Sequence, residues 1–154
     1  MNCDVCVNKP ASEYREFRPS LPLANHLLCL WTALVIGPQG ANAQHVLPDG
    51  CIDIVLINEE PPVVVGPWTK SFVARYAPGT RIVGARWHPG RAPAMLGLPA
   101  SALLNQSVPL SVVWGSAASA RFARIAGEQS LSARKSAVEA ALLDCRTPAR
   151  LTKR

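Results

Sequence analysis

Short apolar segments separated by turn residues dominate the first ninety positions of the chain. The segments are rich in β-branched and aromatic residues, and proline and glycine cluster between them, with no helical spacing in this part. This pattern is typical of strands joined by tight turns in an antiparallel sheet. It predicts strands over residues 13–17 (an edge strand), 27–36, 43–47, 52–57, 63–65, 71–76 and 81–87.

The pattern changes after Pro89 and Gly90, where alanine and leucine become frequent and apolar residues recur at helical spacing. It predicts a short helix over 92–96, a turn or short helix over 99–104, a helix that Ser116 caps and that runs to residue 125, and a last helix over 131–145. The predicted fold class is α+β, an antiparallel β-sandwich or small barrel followed by C-terminal α-helices. One domain is expected over 13–147, with a β part (13–90) and a helical part (91–147) between a flexible tail (1–12) and a basic tail (148–154).

Charged side chains interrupt two of the most apolar predicted strands. Alternation along 52–57 places Asp53 on the same face as Cys51, and Arg86 lies within the apolar run 82–88. Because an unpaired buried charge is costly, we expect Asp53 and Arg86 to pair directly or through a bound anion. The pair is interpreted either as a structural ion pair or as the polar anchor of a ligand pocket. Asp49 lies in the turn before Cys51, and its expected role is to hold that turn.

Histidines at strand ends suggest a second interpretation. His45 and His88, together with Asp53, have the composition of a 2-His-1-carboxylate metal site, and Cys51 could act as a softer ligand. The alternative is that both histidines are surface or hydrogen-bonded residues, and neither H-x-H nor H-E-x-x-H spacing is present. Cys3 and Cys6 have zinc-ligand spacing, but no second pair follows, so no metal site is predicted.

Composition narrows the class of protein. Of 154 residues, 49% are hydrophobic and 17% charged, which suits one folded domain with a core. No apolar run reaches the length of a membrane span and no signal-peptide core is present, so a cytoplasmic protein with reduced thiols is expected. The net charge is +6, but the basic residues are scattered or lie in a C-terminal part without aromatic residues, which gives weak support for a nucleic-acid surface. Neither a G-x-S-x-G motif nor a phosphate-binding glycine loop occurs.

The order of the motifs resembles a known family. The segments are Tyr14-Arg-Glu-Phe-Arg-Pro-Ser20, Leu30-Trp-Thr32, His45-Val-Leu-Pro-Asp-Gly-Cys-Ile-Asp-Ile-Val55, Val65-Gly-Pro67, Ala77-Pro-Gly79, Val83-Gly-Ala-Arg-Trp-His-Pro-Gly90, Leu96-Gly-Leu-Pro-Ala-Ser101, Val108-Pro-Leu110 and Trp114-Gly115. Together they resemble the N-terminal sensory domain of a group of AraC-type bacterial transcription regulators, over residues 13–145.

The resemblance implies a cupin-like domain that senses a small-molecule effector or mediates dimerisation. In such regulators a separate helix-turn-helix domain reads DNA; no recognition-helix pattern follows Cys145, so DNA contact is expected only through an attached or partner domain. The segment 47–53 is then interpreted as a β-hairpin corner that shapes the sensory pocket. The residues expected to line or brace the ligand site are His45, Asp49, Cys51, Asp53, Arg86 and His88.

Under this interpretation the protein is not an enzyme, contacts no membrane, and has a small effector and a second copy of the chain as its expected partners. The sequence identifies neither the effector nor a cofactor. One rival is a small cupin-type metalloenzyme that uses His45, His88 and Asp53 on iron or zinc. A third interpretation is an interaction module that pairs through its last helix and binds no small molecule.

Overall fold

Eight strands form in the part of the chain that the computed structural model describes, residues 12–37, 43–128 and 130–145. All seven predicted strands are confirmed, and a short additional strand lies between the first and second α-helices. The strands are β1 (Ser12–Phe17), β2 (Leu27–Val35), β3 (Ala43–Val46), β4 (Asp53–Ile57), β5 (Val63–Val65), β6 (Phe72–Arg75), β7 (Arg81–Trp87) and β8 (Ser107–Pro109).

Six of these strands form one antiparallel sheet in the order β1-β2-β7-β4-β5-β8, while β3 and β6 pair separately. The three central strands, β2, β7 and β4, carry the longest apolar runs and are buried over most of their length. A central strand is covered on both faces, which explains why its sequence is apolar at nearly every position instead of alternating. The predicted edge position of β1 is confirmed.

The β3–β4 connection differs from the prediction. Because β3 pairs with β6 while β4 pairs with β7 and β5, the segment 47–52 crosses from one sheet to the other. The prediction of a β-hairpin at this corner is therefore wrong. Strands β3 and β6 are separated by more than twenty residues in the sequence, so no local turn pattern predicts that they pair.

In the described residues one α-helix lies between β7 and β8 and three follow β8, and 3₁₀ turns form at Leu21–Leu23 and Ala100–Leu103. Two of the helices have the predicted bounds 92–96 and 131–145. The helices are α1 (Ala92–Leu96), α2 (Leu110–Trp114), α3 (Ser116–Ile125) and α4 (Leu131–Cys145).

The junction of α2 and α3 corrects one expectation. Ser116 is the first residue of α3 and its side chain makes no capping hydrogen bond, so the prediction that it caps the helix is wrong. Gly115 occupies the cap position with φ 89°, a left-handed backbone value that favours glycine. This residue allows α3 to begin directly after α2, which the sequence pattern did not predict.

The large sheet has two different faces. One face, here the helix face, packs against the helices, and its buried residues include Leu30, Ile54, Val83 and Trp87. The opposite face, here the far face, is built on Cys29, Trp31, Ala33, Val55 and Ile82, with partly buried tyrosine and aliphatic side chains packed against it. Alternation along each strand sends consecutive side chains to opposite faces, so both clusters arise from the same strands.

Arg134 links the helices to the sheet. It lies on α4, is 1% exposed, and donates hydrogen bonds to the backbone carbonyls of Asn58 (3.0 Å), Ala126 (2.6 Å) and Glu128 (2.9 Å). These carbonyls belong to the turn after β4 and to the segment after α3. The guanidinium therefore satisfies buried acceptors from two connections at once, which apolar periodicity could not predict. No described helix is both long enough and apolar enough to span a bilayer.

Candidate functional site

An ion pair at the centre of the sheet joins two of the predicted residues. Asp53, the first residue of β4, lies opposite Arg86 of β7 in the strand register. The Nε of Arg86 donates to Oδ1 of Asp53 at 3.0 Å and its Nη2 donates to Oδ2 at 3.1 Å. The side chain of Asp53 is only 11% exposed and that of Arg86 only 20%. The predicted direct pairing is confirmed, and its two-point geometry is the strong form of a charged hydrogen bond.

Trp31 completes the cluster from β2. Its indole Nε1 donates to Oδ2 of Asp53 at 3.0 Å, so both oxygens of this carboxylate accept hydrogen bonds. The indole ring crosses β7 directly over Gly84, where a Cβ atom would overlap the ring. Gly84 lies between Trp31 and Val55 in the register of three adjacent strands. The absence of a side chain at this position is therefore what allows Trp31 to reach Asp53.

Burial and charge act against each other in the pair. Burial raises the pKa of Asp53, while the charge of Arg86 and the hydrogen bonds from Arg86 and Trp31 lower it. Burial would lower the pKa of Arg86, but the charge and hydrogen bonds of Asp53 outweigh burial and raise that pKa. Arg86 is therefore held in its charged form, and the ion pair is the state in which both groups satisfy their hydrogen bonds.

Tyr14 and Cys29 extend the cluster along the far face. Cys29 lies opposite Arg86 in the β2–β7 register, and burial raises the pKa of its thiol to about 12. The Tyr14 ring packs against Trp31 with centroids 5.8 Å apart, and its hydroxyl donates to Glu16 at 2.8 Å. Burial also raises the pKa of the Tyr14 phenol, and the nearby charge of Arg86 lowers it. The far face thus combines aromatic surface, a buried thiol and a paired cation.

Sequence reasoning did not identify Trp31, Tyr14 or Cys29 as members of this site. Each of them shares a face with the paired residues by simple alternation along its own strand. The sequence of β2 does not show which of its two faces belongs to the site, because this strand is apolar at almost every position.

Asp49 and Cys51 lie in the segment that leads from β3 into β4. Asp49 Oδ1 accepts a hydrogen bond from the backbone N–H of Cys51 at 2.9 Å, which is the expected turn-holding contact. Its charge acts on both Asp53 and Arg86, and the Cys51 thiol acts on Cys29. The structure thus joins Asp53 to Arg86 and Asp49 to Cys51 by hydrogen bonds.

His88 has a hydrogen-bond partner outside this group. His88 follows β7, and its Nε2 lies 3.1 Å from the backbone oxygen of Ala24, in the connection before β2. The side chain of His45 lies outside the described part of the chain. Its backbone is in β3, which belongs to the smaller sheet.

The described residues around the ion pair offer few ligands for a metal ion. Among the described residues, no group of three histidine, cysteine, aspartate or glutamate side chains could hold one. Both oxygens of Asp53 already accept hydrogen bonds from Arg86 and Trp31, so a metal on Asp53 would compete with these donors for the carboxylate.

Comparison with known families gives one match. The model described as "Domain of unknown function (DUF6597)" matches residues 15–109, which is more than half of the chain. The chain belongs to this family. The matched region begins within β1 and ends with β8, so it contains β2 to β8 in full, the second half of β1 and both members of the ion pair. No curated protein and no solved structure matches the chain significantly.

Proposed function

We propose that this DUF6597 domain is the effector-sensing and dimerisation domain of an AraC-type transcription regulator, with the far face of its sheet as the effector site. The observation that carries the proposal is the Asp53–Arg86–Trp31 cluster, a hydrogen-bonded ion pair set among aromatic and aliphatic side chains. Ligand sites are commonly apolar surfaces with a few fixed polar groups, and this cluster has that composition.

The sheet supports the proposal by its division into two faces. Helices cover the helix face with a dense apolar core, whereas the Asp53–Arg86 pair and the Cys29 thiol lie on the far face. A cupin-like closure of the far face by the strands β3 and β6 is part of this proposal. Tyr76, which directly follows β6, packs against the far-face cluster and supports that closure.

Arg86 is the proposed contact for the effector. Its Nε and Nη2 hold Asp53, while within the described residues no hydrogen bond from its Nη1 is found. Asp53 and Trp31 then fix the guanidinium in place, so a ligand would meet a preorganised donor instead of a mobile side chain. DNA would be contacted only through an attached or partner helix-turn-helix domain, and effector binding would bias its arrangement.

Thermal denaturation in the presence of small metabolites tests the proposal. Carboxylic acids, amines, sugars and aromatic compounds are screened for a rise in Tm, because a ligand that binds only the folded state stabilises it. Binding of each active compound is then measured by calorimetry on the unaltered protein, on Arg86→Lys and on Arg91→Lys. Arg91 is an exposed arginine just before α1 and serves as the matched control.

The proposal predicts that at least one class of compound raises Tm and that Arg86→Lys weakens its binding about ten-fold or more. Lysine cannot hold Asp53 at two points and also present a further donor to the effector. Arg91→Lys should bind like the unaltered protein. Failure of every class, or equal binding by both variants, would contradict an effector site on the far face.

A further inference from the structure

Strands β3 and β6 form a two-stranded ribbon beside the large sheet. They are antiparallel, with Ala43 opposite Arg75 and Val46 opposite Phe72. Within the described residues no third strand joins them, and a two-stranded sheet is only marginally stable on its own. In an antiparallel pair, alternate residues direct their backbone N–H and C=O groups away from the partner strand. Half of the β6 residues therefore present these groups along the outer edge of the ribbon.

Apolar side chains on both faces of β6 are partly exposed to solvent. Phe72 is 37% exposed and Val73 is 44% exposed, although consecutive residues of a strand point to opposite faces. The ring of Trp68 packs against Phe72 with the centroids 4.6 Å apart, which extends the apolar surface toward the start of the strand. An apolar strand with an open edge is a template on which another strand can pair.

Charge indicates which kind of strand fits this edge. Residues 61–127 contain seven basic residues and neither aspartate nor glutamate. Lys70 and Arg75 are exposed at the two ends of β6. The charge of Glu60, from the turn after β4, acts on Tyr76, which follows Arg75. Two β6 edges placed together would bring like charges side by side, which disfavours self-pairing.

We propose that the outer edge of β6 binds an extended acidic peptide segment of a partner protein by adding it as a third strand. Backbone hydrogen bonds from β6 would supply the pairing, as in other cases of strand addition. Carboxylates of the peptide would lie opposite Lys70 and Arg75, and its apolar side chains would cover Phe72 and Val73. This inference concerns a different surface from the effector site and does not depend on it.

A synthetic peptide tests the proposal directly. The probe is a fluorescent peptide of alternating glutamate and valine, and its binding to the whole chain is followed by fluorescence anisotropy. A second peptide of the same sequence carries N-methyl groups on all of its backbone nitrogens, which removes the N–H donors from both edges of the strand but keeps the charge. A third peptide replaces glutamate by lysine.

The proposal predicts saturable binding of the first peptide and little binding of the other two. Binding should also slow hydrogen exchange at alternate amides of β6, because new backbone hydrogen bonds form there. The variant Lys70→Glu/Arg75→Glu should bind about ten-fold more weakly, as expected for two reversed charge pairs. The control Arg91→Glu/Arg124→Glu reverses two exposed arginines outside the ribbon and should leave the affinity unchanged.

Three results would overturn the inference. The first is the absence of saturable binding by the glutamate–valine peptide. The second is equal binding of the N-methylated peptide, which would indicate attraction by charge alone. The third is tighter binding of a single-stranded oligothymidine to the same residues, which would identify the ribbon as a nucleic-acid surface instead.

Discussion

Replacing Asp53 by asparagine isolates the charge of the buried pair. The change keeps the size of the side chain and one acceptor oxygen, but it leaves the Arg86 guanidinium, 20% exposed, without its counter-ion. Removing one partner of a buried ion pair costs about 3–5 kcal/mol, and the remaining exposure of Arg86 and the retained acceptor favour the lower end. We therefore expect Asp53→Asn to lower the free energy of unfolding by about 3 kcal/mol.

Urea denaturation followed by circular dichroism measures this loss. With an m-value of about 1.5–2 kcal/mol/M, the midpoint should fall by about 1.5–2 M. The matched control is Asp144→Asn, which removes the carboxylate of the Arg121–Asp144 pair on the surface of the helices. That pair is 39% and 51% exposed, so its loss should cost less than about 1 kcal/mol.

A double variant separates the cost of an unpaired charge from the value of the pair. Asp53→Leu/Arg86→Leu removes both charges, and apolar replacement of a buried pair is often close to neutral. It should therefore be more stable than Asp53→Asn, yet bind no effector. The reasoning is refuted if Asp53→Asn costs no more than the Asp144 control, or if the double variant is the less stable of the two.

Three further changes test the packing around this site. Gly84→Ala places a methyl group against the Trp31 ring and should cost about 1–3 kcal/mol in urea denaturation; unchanged stability would contradict the close contact. Arg134→Met leaves three backbone carbonyls without their donor and should cost about 2–4 kcal/mol, whereas a loss below 1 kcal/mol would show that these bonds contribute little. Burial raises the pKa of the Cys29 thiol from 9.0 to about 12, so this thiol ionises at lower pH in the unfolded state than in the folded state. The contribution of the buried thiol to stability is therefore complete below pH 9 and is lost as the pH rises toward 12. The decline should be shallower in Cys29→Ala by up to about 1.4 kcal/mol per pH unit, as measured by urea denaturation at pH 8–11, and an unchanged slope in that variant would refute the assignment.

Local patterns predicted the elements that carry their own signal. The Asp53–Arg86 pair could be inferred because each charge interrupts an apolar strand and an unpaired charge in such a place is costly. The bounds of α4 followed from apolar residues at helical spacing, and the position of β1 at the edge followed from its alternation.

Features set by distant parts of the chain could not be predicted in this way. Trp31 reaches Asp53 only because Gly84 lies between them on a neighbouring strand, and the β3–β6 pairing joins segments far apart in sequence. The spacing of apolar residues along α4 does not explain why position 134 is an arginine. The role of Arg134 depends on backbone carbonyl groups in the turn after β4 and in the segment after α3. In each case the decisive contact is tertiary, so a single sequence leaves it undetermined.

The four tryptophans allow the most direct test of an effector site on the far face. Trp31 lies on that face, Trp87 and Trp114 lie on the helix side, and Trp68 lies beside the ribbon. Each indole N–H gives its own signal in a ¹H–¹⁵N NMR spectrum, which can be followed while a compound that raises Tm is added. The account predicts that the Trp31 signal shifts most, because its N–H bonds to Asp53. A compound that shifts Trp87 or Trp114 and leaves Trp31 unchanged would contradict it.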